Sequence, residues 1–201
     1  MNKVQDLNKA SIRRLAQRAG IKSMSSIIWE EIRGISKVFL ENLLRLVLLF
    51  TRHNYRRTVG VKDVENALKI DLLPNVDYTS LGKGGANHCK NLNPRSKSGP
   101  KVTKFKPGTK ALMNIRKAQK DDCLYFPKAA FSRFVRKISS DFATDLRFSQ
   151  ESLDLIQIVF ENYLITLFEN ANLCAIQAGR HRVYPKDIQL AKKISQEFEF
   201  Y

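Results

Sequence analysis

The sequence predicts an all-α protein in which one plan, a short helix, a long helix and a short helix, occurs twice. Three observations predict it. Apolar residues recur every three or four positions along two long stretches. One runs through Ile28, Ile32, Ile35, Phe39, Leu43, Leu46 and Phe50. The other runs through Leu153, Ile156, Phe160, Tyr163, Leu167, Ala171, Cys174 and Ala178. Shorter amphipathic segments flank each stretch. The segment YRRTVGVKDVENALK (55–69) returns, loosely, as GRHRVYPKDIQLAKK (179–193). A shift of 124 positions sets Arg56 on Arg180, Val59 on Val183 and Lys62-Asp63 on Lys186-Asp187.

Taken in order, a short helix is expected near 9–19. A long one follows over 27–54, with Ser25 or Ser26 as its cap and Glu30 and Glu31 in the first turn, where the helix dipole favours acids. From Leu43 onward this helix is apolar almost all round, so its second half should be buried on more than one side. A short helix follows at 61–70. Pro74, GKGG (82–85) and NPRSKSGPK (93–101) then mark a basic, flexible linker over 71–106, able to span roughly 35 Å. The second half opens with an additional helix at 109–120. A short helix at 128–141 follows, then a long one capped by Ser149, then a last one at 185–195 opened by Pro185. The domain boundaries are therefore 1–70, 71–106 and 107–201.

A helix of 28 residues is about 42 Å long, and three helices in a row with so long a middle member cannot close a core around themselves. Each half needs a partner of its own shape, and the chain supplies one.

The formal net charge is +16. Residues 1–70 hold 14 Lys/Arg against 6 Asp/Glu, 71–106 hold 7 against 2, and 107–201 hold 14 against 11, so the excess sits in the first half and the linker. Such a surplus calls for a polyanionic partner, nucleic acid before an anionic membrane. The N-terminus has no apolar signal core, and the longest greasy run, LLRLVLLF (43–50), is short and broken by Arg45. Three cysteines without paired spacing point to a reducing compartment rather than a disulfide framework.

The stretch SIRRLAQRAGIKSMSSIIWEEIRGISKVFLENLLR, followed by RRTVGVKDVENALK, resembles the histone fold of core histone H-four. PGTKALMNIRKAQK, FSRFVRKISSDFATDLRF, NLCAIQA and PKDIQLAKKI resemble core histone H-three, and TSLGKGG (79–85) is similar to the glycine-rich end of H-four. Together they cover about 9–85 and 104–195. A fused pair of this kind resembles the histone doublets of large DNA viruses.

The resemblance implies two histone folds in one chain, paired as an intramolecular handshake dimer whose long helices cross antiparallel. Lys22 would then lie near Arg180 and Arg182, and Arg147 near Arg56, Arg57 and Thr58. The first-helix N-termini would meet in the middle, offering Arg13, Arg14, Lys128 and Arg133. Arg18, Arg136, Lys186 and, on the additional helix, Arg116 and Lys117 complete the expected DNA contacts. Contacts of this kind grip phosphate and minor groove and carry almost no base information.

The resemblance also implies partners. A second copy would dock through a four-helix bundle carrying Cys174, Ile176, Gln177, Arg180, Asp187 and Leu190. An H-two-A/H-two-B-type pair would meet Leu46, Phe50 and His53. The implied role is that of the H-three/H-four unit of a nucleosome core, in chromatin of a nucleus or, for a virus, in the host nucleus, viral factory and virion. The competing reading is a histone-fold pair in a transcription-factor complex.

Enzymatic and metal chemistry find little support. His88, Cys89 and Cys123 lack ligand spacing, GKGG has no preceding strand and no following Ser or Thr, and no nucleophile–base pair stands out. No cofactor or metal is expected. Departures from the family pattern matter too. Only about eight residues precede the first helix, Ser23, Met113 and Pro127 stand where the family has DNA-contacting arginines, and Gln177 stands where H-three has a histidine. Arg182 replaces a threonine and Leu46 an acidic residue.

Overall fold

The computed structural model describes residues 7–71, 105, 106, 108–121, 123–143 and 145–197. The expected linker falls outside these residues except at its two ends. Among the described residues the helices are α1 (Lys9–Arg18), α2 (Ile28–His53), α3 (Val61–Asp71), α4 (Thr109–Lys120), α5 (Lys128–Ser140), α6 (Gln150–Gln177) and α7 (Pro185–Glu197). Four two-residue strands lie in the loops: β1 (Ser23–Met24), β2 (Thr58–Val59), β3 (Arg147–Phe148) and β4 (Arg182–Val183).

Local chemistry sets the helix boundaries. At the start of α6, Ser149 Oγ accepts the Ser152 N–H at 3.2 Å, the expected cap. α2 carries Glu30 and Glu31 in its first turn and Arg52 and His53 in its last, so charge matches its dipole at both ends. Three helices end in the same double hydrogen bond. Gly20 N–H donates to Gln17 O and Ile21 N–H to Ala16 O after α1; Gly179 and Arg180 do the same to Ile176 and Ala175 after α6. After α2, Tyr55 N–H donates to Arg52 O and Arg56 N–H to Thr51 O. This helix stop places one residue in the left-handed region. Gly20 (φ 84°) and Gly179 (φ 67°) take it without steric cost, whereas Tyr55 takes it at φ 52° despite its Cβ.

The described residues fall into two compact units. One is drawn from 7–8, 30–71 and 126–163, the other from 9–29, 105–125 and 164–197. Each unit therefore combines residues of both sequence halves. The first unit buries Phe39, Leu40, Leu43, Leu44 and Val47 of α2, Val64, Ala67 and Leu68 of α3, Phe131, Phe134 and Val135 of α5, and Ile156, Val159 and Phe160 of α6. The Phe160 ring lies 5.3 Å from Phe131, 5.8 Å from Phe126 and 6.3 Å from Phe39, while Phe39 stacks on Tyr163 at 3.9 Å. Phe126 N–H donates to buried Glu161, and Gln157 Nε2 donates to both Phe126 O and Glu161, so the buried polar groups of this trio satisfy one another.

In the second unit α4 packs on α1. Ile115 and Ala118 of α4 are buried, as are Ile12, Leu15 and Ala16 of α1. Buried Tyr125 ties the two helices: its hydroxyl donates to Ala118 O at 3.2 Å and its carbonyl accepts from Ser11 Oγ at 2.9 Å.

One expectation changes. The second half of α2 buries Leu43, Leu44, Val47 and Leu48, but Leu49 is 64% exposed and Leu46 and Phe50 are half-buried, so one apolar face stays open within the chain. An all-round apolar sequence marks surface that must be covered, not what covers it. Cys123 is disulfide-bonded and Cys174 is free.

Candidate nucleic-acid interface

Each unit holds one parallel strand pair, and each pair joins a loop of one sequence half to a loop of the other. In the first unit Thr58 pairs with Arg147 and Val59 with Phe148. The register is fixed by Arg147 N–H donating to Arg57 O and Ser149 N–H to Val59 O, both at 3.1 Å. In the second unit Ser23 pairs with Arg182 and Met24 with Val183, with Ser25 N–H donating to Val183 O. Alternation buries Val59 and Val183 and leaves Thr58, Arg147, Ser23 and Arg182 exposed. A two-residue strand is too short to announce itself in a sequence, so these pairs had no signal beyond the repeated loops.

The first pair lines a cleft of about 500 Å³ with Arg57, Thr58, Asp145, Leu146 and Arg147. Its lining carries two guanidinium groups, the Thr58 hydroxyl and the Asp145 carboxylate, a surplus of one positive charge. The second pair brings Lys22, next to Ser23, close to exposed Arg182, with Lys186 exposed at the start of α7.

Arg56, itself exposed, and half-buried Arg180 differ from these cations in that each bonds a buried carboxylate. Arg56 Nη2 donates to Asp63 Oδ1 at 2.7 Å, and Asp63 is fully buried. Its Oδ2 also accepts Gly60 N–H at 3.0 Å and Asn54 Nδ2 donates to Oδ1, while Thr51 Oγ1 lies 3.4 Å from Oδ2 and makes its shorter bond, 2.9 Å, to Val47 O. Arg180 repeats the arrangement on Asp187, with Nη2 to Oδ1 at 2.7 Å and Nη1 to Oδ2 at 3.0 Å, while Tyr184 N–H donates to Oδ2 at 2.8 Å. Each aspartate sits in the first turn of its helix and satisfies the amide just before it, one half of a capping box. Burial pushes the Asp187 carboxyl up, but the Arg180 and Tyr184 hydrogen bonds and the charges of Arg180 and Lys186 outweigh it and hold the carboxyl below its usual range. The hydrogen bond to Asp187 raises Arg180 in turn. These arginines shape the loops that present Arg57, Arg147 and Arg182.

The other expected contacts divide between the units. Lys128, Arg133 and Arg136 lie in the first; Lys128 Nζ is 2.9 Å from Asp154, Arg133 Nε donates to Ala129 O, and Arg136 is exposed. Arg13, Arg14 and Arg18 on α1 lie in the second, Arg13 with its guanidinium 5.8 Å from the Trp29 ring centre. Arg116 and Lys117 are exposed on α4, beside Met113 at 50% exposure.

Two apolar surfaces complete the inventory. Along α2, Leu49 joins Leu46, Phe50 and exposed His53. At the end of α6 and on α7, Leu173 (64%), Ile176 (57%) and Leu190 (50%) are exposed beside Gln177 and half-buried Cys174, while Asp187 is buried. The sequence reading missed Leu49 and Leu173 because each sits off the stripe used to find its helix.

Residues 107–194 match the family model of the core histone domain, the one shared by histones H-two-A, H-two-B, H-three and H-four. This stretch is a histone fold. It contains α4 to α6 and nearly all of α7, with β3 and β4 in the two loops around the long α6. The match supports a histone-like role of the structural, DNA-packaging kind and suggests a place in chromatin. Among the described residues no helix is long and apolar enough to cross a membrane, and no cluster of His, Cys, Asp and Glu could hold a metal ion. His88 and Cys89 lie outside the described residues.

Proposed function

We propose that the chain is a fused histone doublet, an H-four-like half followed by an H-three-like half, that packages DNA as the H-three/H-four unit of a nucleosome core, of viral type. The two halves clasp each other as a handshake within one chain. Lys22 and Arg182 form one phosphate-binding station and Arg57, Thr58 and Arg147 a second, while Arg13 and Arg14 on α1 and Lys128 and Arg133 on α5 add further phosphate contacts. Two doublets join through the exposed apolar face of α6 and α7, and an H-two-A/H-two-B-type pair covers Leu46, Leu49, Phe50 and His53. The protein works in chromatin, in the host nucleus, viral factory and virion.

The observation that carries this reading is the pairing of Thr58 with Arg147 and of Ser23 with Arg182. It puts exposed cations of both sequence halves into shared loops, where they suit phosphates rather than base edges. Titrating mixed-sequence duplexes at several salt concentrations tests it. If about six to ten phosphates are neutralised, affinity falls roughly 10³- to 10⁵-fold between 50 and 200 mM salt, with little dependence on sequence. A shallow slope with strong preference for one short site would favour the transcription-factor reading.

A further inference from the structure

The geometry points to Tyr55 as a DNA-contact residue, an assignment that rests on the packaging role proposed above. Tyr55 is 98% exposed and is the one non-glycine with positive φ among the described residues. The shift that sets Arg56 on Arg180 sets Tyr55 on Gly179, which fills the same helix-stop position at the end of α6. Glycine would meet the backbone requirement there more cheaply. The ring gives the fold nothing in return, since it is not buried.

The loop is built so that the tyrosine stays in this conformation. Its amide and that of Arg56 are tied to α2 carbonyls. Its two neighbours, Asn54 and Arg56, both bond the buried carboxylate of Asp63, at 3.3 and 2.7 Å. A strained residue persists only where its surroundings over-determine it, and such residues concentrate at functional sites. Here both flanks are anchored and the side chain between them projects into solvent.

The neighbourhood selects the partner. Arg52 and His53 precede Tyr55, Arg57 and Thr58 follow it, and the cleft with Arg147 opens from the same loop. A planar ring with one hydroxyl, set among cations, suits the edge of a DNA groove. The ring packs on deoxyribose and the phenol donates to a phosphate oxygen, neither contact depending on base identity.

The test compares the full chain with Y55G and Y55F by thermal melting, by binding to a mixed-sequence duplex across a salt series, and by association with an H-two-A/H-two-B-type pair. Y55G should melt no lower than the parent and bind DNA about three- to tenfold more weakly, with Y55F in between. The slope of log affinity against log salt should not change, because no cation is lost. Equal affinity in Y55G would overturn the assignment, as would a parallel fall in melting temperature and binding. Unchanged DNA binding with lost histone association would move Tyr55 to a protein interface. A parent chain that binds duplex without salt dependence sinks the packaging reading itself; a parent that binds normally beside an unaffected Y55G sinks this inference alone.

Discussion

Arg56 Nη2 and Asp63 Oδ1 lie 2.7 Å apart, and Arg180 and Asp187 repeat that pair at the same distance and the same separation of seven residues. The repeat explains the shared loop-to-helix motif in terms of one physical task. A buried carboxylate caps the last helix of each half and locks the preceding loop through an arginine.

Removing that carboxylate should therefore cost stability before it costs DNA affinity. Asp63→Ala leaves the Gly60 amide, Asn54 and Arg56 without their common acceptor, while Thr51 keeps its 2.9 Å bond to Val47 O. We expect a loss of about 2–3 kcal/mol, read by denaturant unfolding. A change of only a few tenths would show that the cluster does not hold the loop.

Acid should reveal the second pair. The Asp187 carboxyl is held below its usual range, so in the acid limb the unfolded chain binds more protons than the folded one. Its contribution is fully present above the unfolded value of about 3.9 and is lost as pH falls through the lower folded value. Melting temperature should drop below about pH 4, and Asp187→Asn should flatten that drop. An identical acid limb in the variant contradicts the assignment.

The helices were legible in the sequence because their periodicity is strong. The expected 27–54, 61–70 and 109–120 agree with α2, α3 and α4 within a residue. The division of labour among arginines was not legible. The family resemblance assigns Arg56 and Arg147 the same DNA-contact role, yet one is committed to Asp63 while the other lines an open cleft. The seven-residue spacing from arginine to aspartate, present in both halves, was the available signal. The strands left no trace because two residues carry no period.

That distinction predicts different behaviour for the two arginines. Arg147→Ala should reduce the slope of log affinity against log salt by about one, with stability nearly unchanged. Arg56→Ala should lower stability and alter the slope less. Equal effects on the slope would place Arg56 on phosphate as well.

Self-association should depend on the open apolar face of α6 and α7. Burying Leu190 and Ile176, half or more exposed in the single chain, against a second copy is worth about 25 cal/mol per Å² of apolar surface removed from water. Leu190→Glu should give single chains by light scattering at concentrations where the parent pairs. Unchanged pairing would rule out this surface. Asp187 is buried with both oxygens engaged, so Gln177 contributes little across the contact, and pairing should vary weakly with pH near neutrality.

The most direct measurement of the packaging claim is nuclease digestion of DNA assembled with the full chain and an H-two-A/H-two-B-type pair. Inner cations such as Arg147 remain, but Met113 and Ser23 are exposed where a guanidinium would hold a minor groove. The account predicts a discrete, sequence-independent protected fragment, shorter than the about 146–147 bp of the octamer of free histones, and lengthened by Met113→Arg. A smear without a protected core, or protection confined to one short sequence, would contradict it.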